Sequence, residues 1–165
     1  MHTQGMSPPR VVSGLQWAAL STESPKFLRE SKKGSKARGL AYEKKVKKWL
    51  ERRSSSFPRE SEFFFGQWLA FVDDNGNGLA QPDIYILLPG GWILLIEIKL
   101  TQTDYAEAQL EKLYKPLLEY IYRPAGICCL QICKNLRYDA LHKIEDLSQL
   151  VDSPRAGTFL LHHLD

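Results

Sequence analysis

Gln81–Thr101, QPDIYILLPGGWILLIEIKLT, decides how this chain is read. It forms two near-continuous apolar runs joined at Pro89-Gly90-Gly91. Such runs predict strands that are covered on both faces of a sheet. The charged residues that interrupt them, Asp83, Glu97 and Lys99, all lie away from the turn. Side chains alternate along a strand, so Glu97 and Lys99 share a face, with Cα atoms ~6.5–7 Å apart and Ile98 on the other side. Ile93 and Leu95 lie on the same face as Glu97, so the charges continue an apolar stripe. Charge placed there is costly unless it is paired or binds a metal.

The loop length sets which residues meet. A three-residue loop, Pro89 to Gly91, puts Leu88 opposite Trp92 and Asp83 opposite Glu97. Opposed residues of an antiparallel pair have Cβ atoms about 4.5–5.5 Å apart. Two carboxylates and an ammonium would then share one patch. A two-residue loop would oppose Asp83 to Ile98 and separate the acids. Close carboxylates repel without compensation. A hard divalent cation such as Mg²⁺ supplies it, commonly held by one or two carboxylates plus substrate phosphate. The plainer alternative is an ion pair at a strand end, with Lys99 neutralising the acids. Spacing by itself leaves both readings open.

Pro82-Asp83 followed by Glu97-Ile98-Lys99 resembles the signature of the PD-(D/E)XK nuclease superfamily. The resemblance implies an α/β, restriction-endonuclease-like αβββαβ core, a mixed central sheet flanked by helices, covering about Ala37 to Cys133. A C-terminal helix and strand would extend it. It implies Mg²⁺, with Mn²⁺ as a substitute, held directly by Asp83 and Glu97 with the carbonyl of Ile98. Glu43 would act through water, and Lys99 would position the attacking water. Gln109 would stand beside the scissile phosphate, the place where many relatives carry Gln or Lys. The implied activity is hydrolysis of DNA phosphodiester bonds leaving a 5′-phosphate. The chain shows no recognisable sequence-reading module. This points to a structure-selective endonuclease acting on branched or recombination-intermediate DNA, similar to archaeal Holliday-junction resolvases, whose action would demand a homodimer. A DNA exonuclease of the same superfamily and a non-cleaving nucleic-acid-binding protein are the alternatives.

The rest of the chain is read around that hairpin. At 165 residues, 44% hydrophobic and 25% charged, it has room for one domain with a core. No apolar run approaches the ~18 residues of a membrane span. The N-terminus lacks a signal-peptide core, so a cytoplasmic protein without membrane partners is expected. From Lys26 to Arg53 there are twelve basic residues and three acids, a net +9 in a chain of total +3, so the remainder carries −6. That asymmetry predicts a polyanion such as DNA as partner.

Residues 1–36 read as a basic, flexible arm, with Trp17 and Leu20 anchoring a short helix, and residues 37–165 as the nuclease domain. Ala37–Arg53 is predicted to be a helix with Tyr42, Val46, Trp49 and Leu50 inward. Glu43 lies three residues before Val46 and so points with them, either toward the acidic patch or into an i,i+4 pair with Lys47. Phe63–Val72 reads as one strand. Asp73-Asp74-Asn75-Gly76-Asn77-Gly78 matches the opening of an EF-hand loop, but the twelfth position is Ile84 where Glu is required. A strand-to-strand turn is expected there.

Asp104–Tyr122 is predicted to be a helix disturbed at Pro116. Gln109 borders its buried stripe, and Tyr114 misses the Gln-x-x-x-Tyr spacing of RecB-like nucleases. Gly126–Cys133 is an apolar strand whose Cys128, Cys129 and Cys133 are core residues. A helix over Asp139–Val151 and a strand over Gly157–Leu164 complete the reading. On that strand His162 and His163 point to opposite faces.

Overall fold

The structure, a computed structural model, describes residues 10–22, 35–137 and 142–163. In chain order these form β1 (Trp17–Ser21), α1 (Ser35–Arg52), β2 (Glu62–Phe65), β3 (Trp68–Asp73), β4 (Gly76–Ala80), β5 (Ile84–Leu87) and β6 (Trp92–Thr101). Then come α2 (Asp104–Gln109), a π-helical turn (Leu110–Tyr114), α3 (Lys115–Tyr122), β7 (Gly126–Asn135), β8 (Lys143–Ile144), α4 (Ser148–Val151) and β9 (Gly157–His162). The architecture is mixed α/β. A six-stranded sheet runs in the order β2-β5-β6-β7-β9-β8, and a smaller sheet has the order β1-β3-β4. Neighbours are antiparallel from β2 to β6 and parallel from β6 to β8.

Strand alternation divides the core in two. Ile84, Ile86, Leu94, Ile96, Ile98, Leu130 and Ile132 face Tyr42, Val46 and Leu50 of α1 and Leu147, Leu150 and Val151 around α4. Tyr85, Ile93, Leu95, Ile127 and Cys129 face the other way. They meet Leu110, Leu113, Leu117 and Leu118 of the second helical stretch and Ala18, Leu69 and Phe71 of the small sheet. The central strands are thus covered on both faces, which accounts for their unbroken apolar runs. The three cysteines are free and buried. Among the described residues, no helix is long and apolar enough to cross a membrane.

Several local expectations are corrected. Trp17 and Leu20 belong to a strand, not a short helix, because Trp17–Ser21 pairs along β3. Arg10–Thr22, within the stretch read as a basic arm, is packed on the fold, whereas residues 1–9 and 23–34 lie outside the described residues. The strand expected at Phe63–Val72 is two strands in two sheets, broken at Gly66, whose φ of +63° suits glycine. Phe63 and Phe64 pair with β5, while Leu69 and Phe71 turn away into the hairpin with β4. The helix expected over Asp139–Val151 shrinks to Ser148–Val151. Residues 138–141 lie outside the described residues, and Lys143–Ile144 is a strand because Ile144 fills a parallel ladder beside Leu161. Gln149 also folds back to accept the N–H groups of Glu145 and Asp146, which stops the helix from extending backward.

The Asp73 loop is a hairpin turn. Asp73 is buried and accepts from the Arg10 guanidinium (2.9 Å), from Ser13 N–H (3.3 Å) and from Asn75 N–H (2.9 Å). Burial would raise its carboxyl, but these donors outweigh that and hold it below the usual carboxylate range. The residue that suggested a calcium ligand is instead the clip for the N-terminal strand.

We therefore expect Asp73→Ala to release Arg10–Ser21 without unfolding the main sheet. Trypsin should cut after Arg10 within minutes, and hydrogen exchange should lose protection along β1 while β6 and β7 stay protected. Unchanged protection of β1 would show that the clip is dispensable.

Candidate active site

The β5–β6 hairpin has the three-residue loop. Leu88 N–H donates to Trp92 C=O at 2.8 Å, and Gly90 and Gly91 adopt φ of +86° and +83°. Pairing then runs from Leu87 with Ile93 down to Ile84 with Ile96. One step further, Asp83 stands opposite Glu97. β5 ends at Ile84, and the Asp83 carboxylate takes over where its backbone would have continued, accepting Ile98 N–H at 2.7 Å. Asp83 N–H points at Glu97 Oε1, 3.4 Å away. Gly66 N–H donates to the Asp83 carbonyl at 3.0 Å, so the bend between the sheets also fixes Asp83. A strand residue presents its N–H and C=O on the same edge. The carbonyl of Ile98 therefore faces the side on which Asp83 sits.

Glu43 arrives from α1. Tyr42, Val46 and Leu50 seat that helix in the core, and Glu43 is carried half-buried beside them. Its carboxyl lies near enough to Asp83 to feel that charge, and Asp83 in turn feels Glu97. Burial first, and then the neighbouring Asp83, push Glu43 up to about 7. Burial, and then the charge of Glu97, push Asp83 up to about 7. Glu97, 2% exposed, is also raised, chiefly by burial. The Lys99 ammonium pulls Glu97 and Glu43 the other way, and Lys47 approaches Glu43 Oε2 at 3.6 Å. Burial thus raises all three acids beside one lysine.

The opposite wall is helical. Thr103 caps α2 by accepting Ala106 N–H at 3.1 Å. At Leu110 the helix widens into a π turn, with Lys115 N–H donating to Leu110 C=O. Pro116 accounts for the disturbance: it has no N–H for the carbonyl four residues back, Lys112. That carbonyl accepts Val12 N–H instead, at 3.0 Å. The i→i+5 geometry of the π turn brings Gln109 and Tyr114 together, and Gln109 Nε2 donates to the Tyr114 hydroxyl at 3.3 Å. Tyr114 is 5% exposed, and burial and then the charge of the nearby Glu97 raise its phenol. Among the described residues, Gln109 Oε1 is buried without a hydrogen-bond partner.

Asp83, Glu97, Lys99 and Glu43 therefore converge, and Gln109 reaches the cluster through Tyr114. Tyr114 is the residue that sequence reasoning set aside, because its spacing from Gln109 is one too long for an α-helix. The signal that could have found it was Pro116, which marks where the helix must change its pitch. Thr101 accepts Asn135 Nδ2 at 3.4 Å. His162 bonds the Lys134 carbonyl at 2.7 Å. Among the described residues, no group of three or more His, Cys, Asp and Glu side chains stands close enough to hold a metal ion as it is. The donors on hand for a hard cation are the smaller set of Asp83, Glu97 and the Ile98 carbonyl, which suits Mg²⁺ completed by water and phosphate. No family model matches the chain, and no curated protein or solved structure matches it.

Two outcomes are expected. The folded chain holds protons on Glu43 and Asp83 that the unfolded chain, with ordinary values near 4, has lost. The stability these groups contribute is thus fully present near pH 4, and in metal-free buffer it falls as pH rises through about 7. Asp83→Asn should flatten that slope in melting temperature between pH 5 and 8; an equal slope in the variant would show that Asp83 is not one of the raised acids. Tyr114→Phe deprives the Gln109 amide of its partner and should cost about 1–3 kcal/mol, read from the denaturant midpoint.

Proposed function

We propose that this chain is a metal-dependent nuclease that hydrolyses DNA phosphodiester bonds. The observation that carries the reading is the meeting of Asp83 and the buried Glu97 where β5 ends, with Glu43 and Lys99 close by and all three carboxyls raised by burial. Buried acids so close together gain from a divalent ion that offsets their charge. The order of elements supports the same reading. With the β3–β4 excursion set aside, α1 is followed by β2, β5 and β6, then the second helical stretch and β7. That is the αβββαβ succession implied by the resemblance to PD-(D/E)XK nucleases.

Asp83 and Glu97 would hold Mg²⁺ directly with the Ile98 carbonyl, Glu43 would act through water, and Mn²⁺ would substitute. When bound, the cation neutralises the acids and polarises the scissile phosphate. Lys99 orients the attacking water and stabilises charge on the phosphoryl oxygens. The water oxygen forms a bond to phosphorus while the P–O3′ bond breaks. The water loses a proton and the leaving 3′-oxygen gains one, giving a 5′-phosphate and a 3′-hydroxyl. Gln109 and Tyr114, bonded to each other, form the wall beside these acids. The basic surface of α1 supports DNA as the polyanion that meets this centre. Branched or recombination-intermediate DNA remains the substrate class favoured by the resemblance, with a homodimer if two strands of a junction are cut.

The test is cleavage of supercoiled plasmid, single strands and a four-way junction with Mg²⁺ or Mn²⁺. Wild type should cut, while Lys99→Ala and Asp83→Asn should lose at least a hundredfold in rate and still bind DNA. Mg²⁺ should also raise the melting temperature of wild type at pH 8 but not that of Asp83→Asn. DNA binding with no cleavage in any metal would instead make the chain a nucleic-acid-binding protein.

A further inference from the structure

A second site adjoins the acid line across α1. A cavity of about 420 Å³ opens between α1 and the C-terminal ends of the parallel strands β6 and β7, lined by Arg38, Tyr42, Lys45, Leu100, Lys134 and Asn135. Among the described residues, its charged lining is entirely cationic. Among the described residues, none of Arg38, Lys45 and Lys134 makes an ion pair. Other lysines nearby differ: Lys47 pairs with Glu43, and Lys99 lies among the acids. Three like charges gathered at one concavity repel one another unless an anion joins them.

The walls are preset. The Tyr42 hydroxyl is committed to the His163 carbonyl at 2.7 Å, so its ring forms a fixed side of the cavity. Asn135 leans on Thr101. The cavity lies beyond the carboxyl ends of adjacent parallel strands, the end at which open α/β sheets receive ligands. Its lining residues neighbour the acids in sequence: Tyr42 precedes Glu43 and Lys45 lies two residues after it on α1, and Leu100 follows Lys99 on β6.

We propose that this cavity is a phosphate subsite, seating one non-scissile phosphate of the nucleic acid beside the acids. It rests on the nuclease reading for the identity of the phosphate's owner and adds to it how the substrate is registered. A phosphate held by Arg38, Lys45 and Lys134 anchors the backbone next to a centre that repels it until a cation arrives. The phosphate is either internal to a strand or a terminal 5′-phosphate; both present the same oxygens to the same cations.

The test uses the full chain and fluorescence anisotropy in Ca²⁺, with the DNA recovered intact on a gel. The probes are a duplex with 5′-phosphates, the same duplex with 5′-hydroxyls and a covalently closed circle. The double variant Lys45→Gln/Lys134→Gln should lose tenfold or more in affinity, and its slope of log affinity against log salt should shrink by about one. The control Lys44→Gln/Lys48→Gln removes equal charge from exposed positions outside the cavity and should lose less than threefold with little change of slope. Lys45→Arg/Lys134→Arg should restore binding. A loss seen on the circle assigns an internal phosphate, and a loss confined to the 5′-phosphorylated duplex assigns a terminal one. Equal losses in the cavity and control variants overturn the subsite. A wild type that never cuts, with the cavity variants still losing affinity, removes the nuclease reading and leaves the subsite standing. A wild type that cuts, with cavity variants binding as wild type does, removes the subsite and spares the nuclease.

Discussion

The bond from Ile98 N–H to the Asp83 carboxylate is the constraint on which the rest depends. β5 gives out at Ile84, and β6 runs on to Thr101 without it. An open ladder edge inside a folded chain must find other partners. Here a side chain supplies one, and in doing so it draws a carboxylate against the buried Glu97. The same open edge lets α1, on one face of the sheet, deliver Glu43 to a patch whose other wall is on the opposite face. Had β5 continued, a backbone carbonyl would have taken the Ile98 N–H and the Asp83 carboxylate would not have been drawn to it.

Burying three acids together works against folding. The structure tolerates it through the ammonium of Lys99 and backbone donors from Ile98 and Asp83. None of these fully discharges the group at neutral pH, since Glu43 and Asp83 both stay near 7. A region that remains unfavourable after such support is where a cation is worth most. The cationic cavity on α1 is the complementary case, with positive groups gathered and, among the described residues, no acid with them. Between them the two sites give one helix both signs of charge on neighbouring faces.

Pro116 shows how a local defect becomes architecture. Its missing N–H frees the Lys112 carbonyl, which then ties down Val12, while the wider turn swings Tyr114 beneath Gln109. The N-terminal strand, clipped at its other side by Asp73, is therefore docked against the helix that lines the acid cluster.

The central hairpin, its loop and the meeting of Asp83 with Glu97 were legible from the chain because strand alternation and a Pro-Gly-Gly turn are local rules. So were the packed side of α1 and the core role of the cysteines, since apolar spacing reports burial. The split of Phe63–Val72 was hidden because Gly66 could be read as one weak strand residue; only the competing demands of two sheets force the break. The strand at Trp17 has no pattern of its own and exists because β3 has an edge to be covered. Tyr114 was out of reach for a related reason: sequence spacing assumes one helical pitch, and the pitch was set by a proline and by what packed around it.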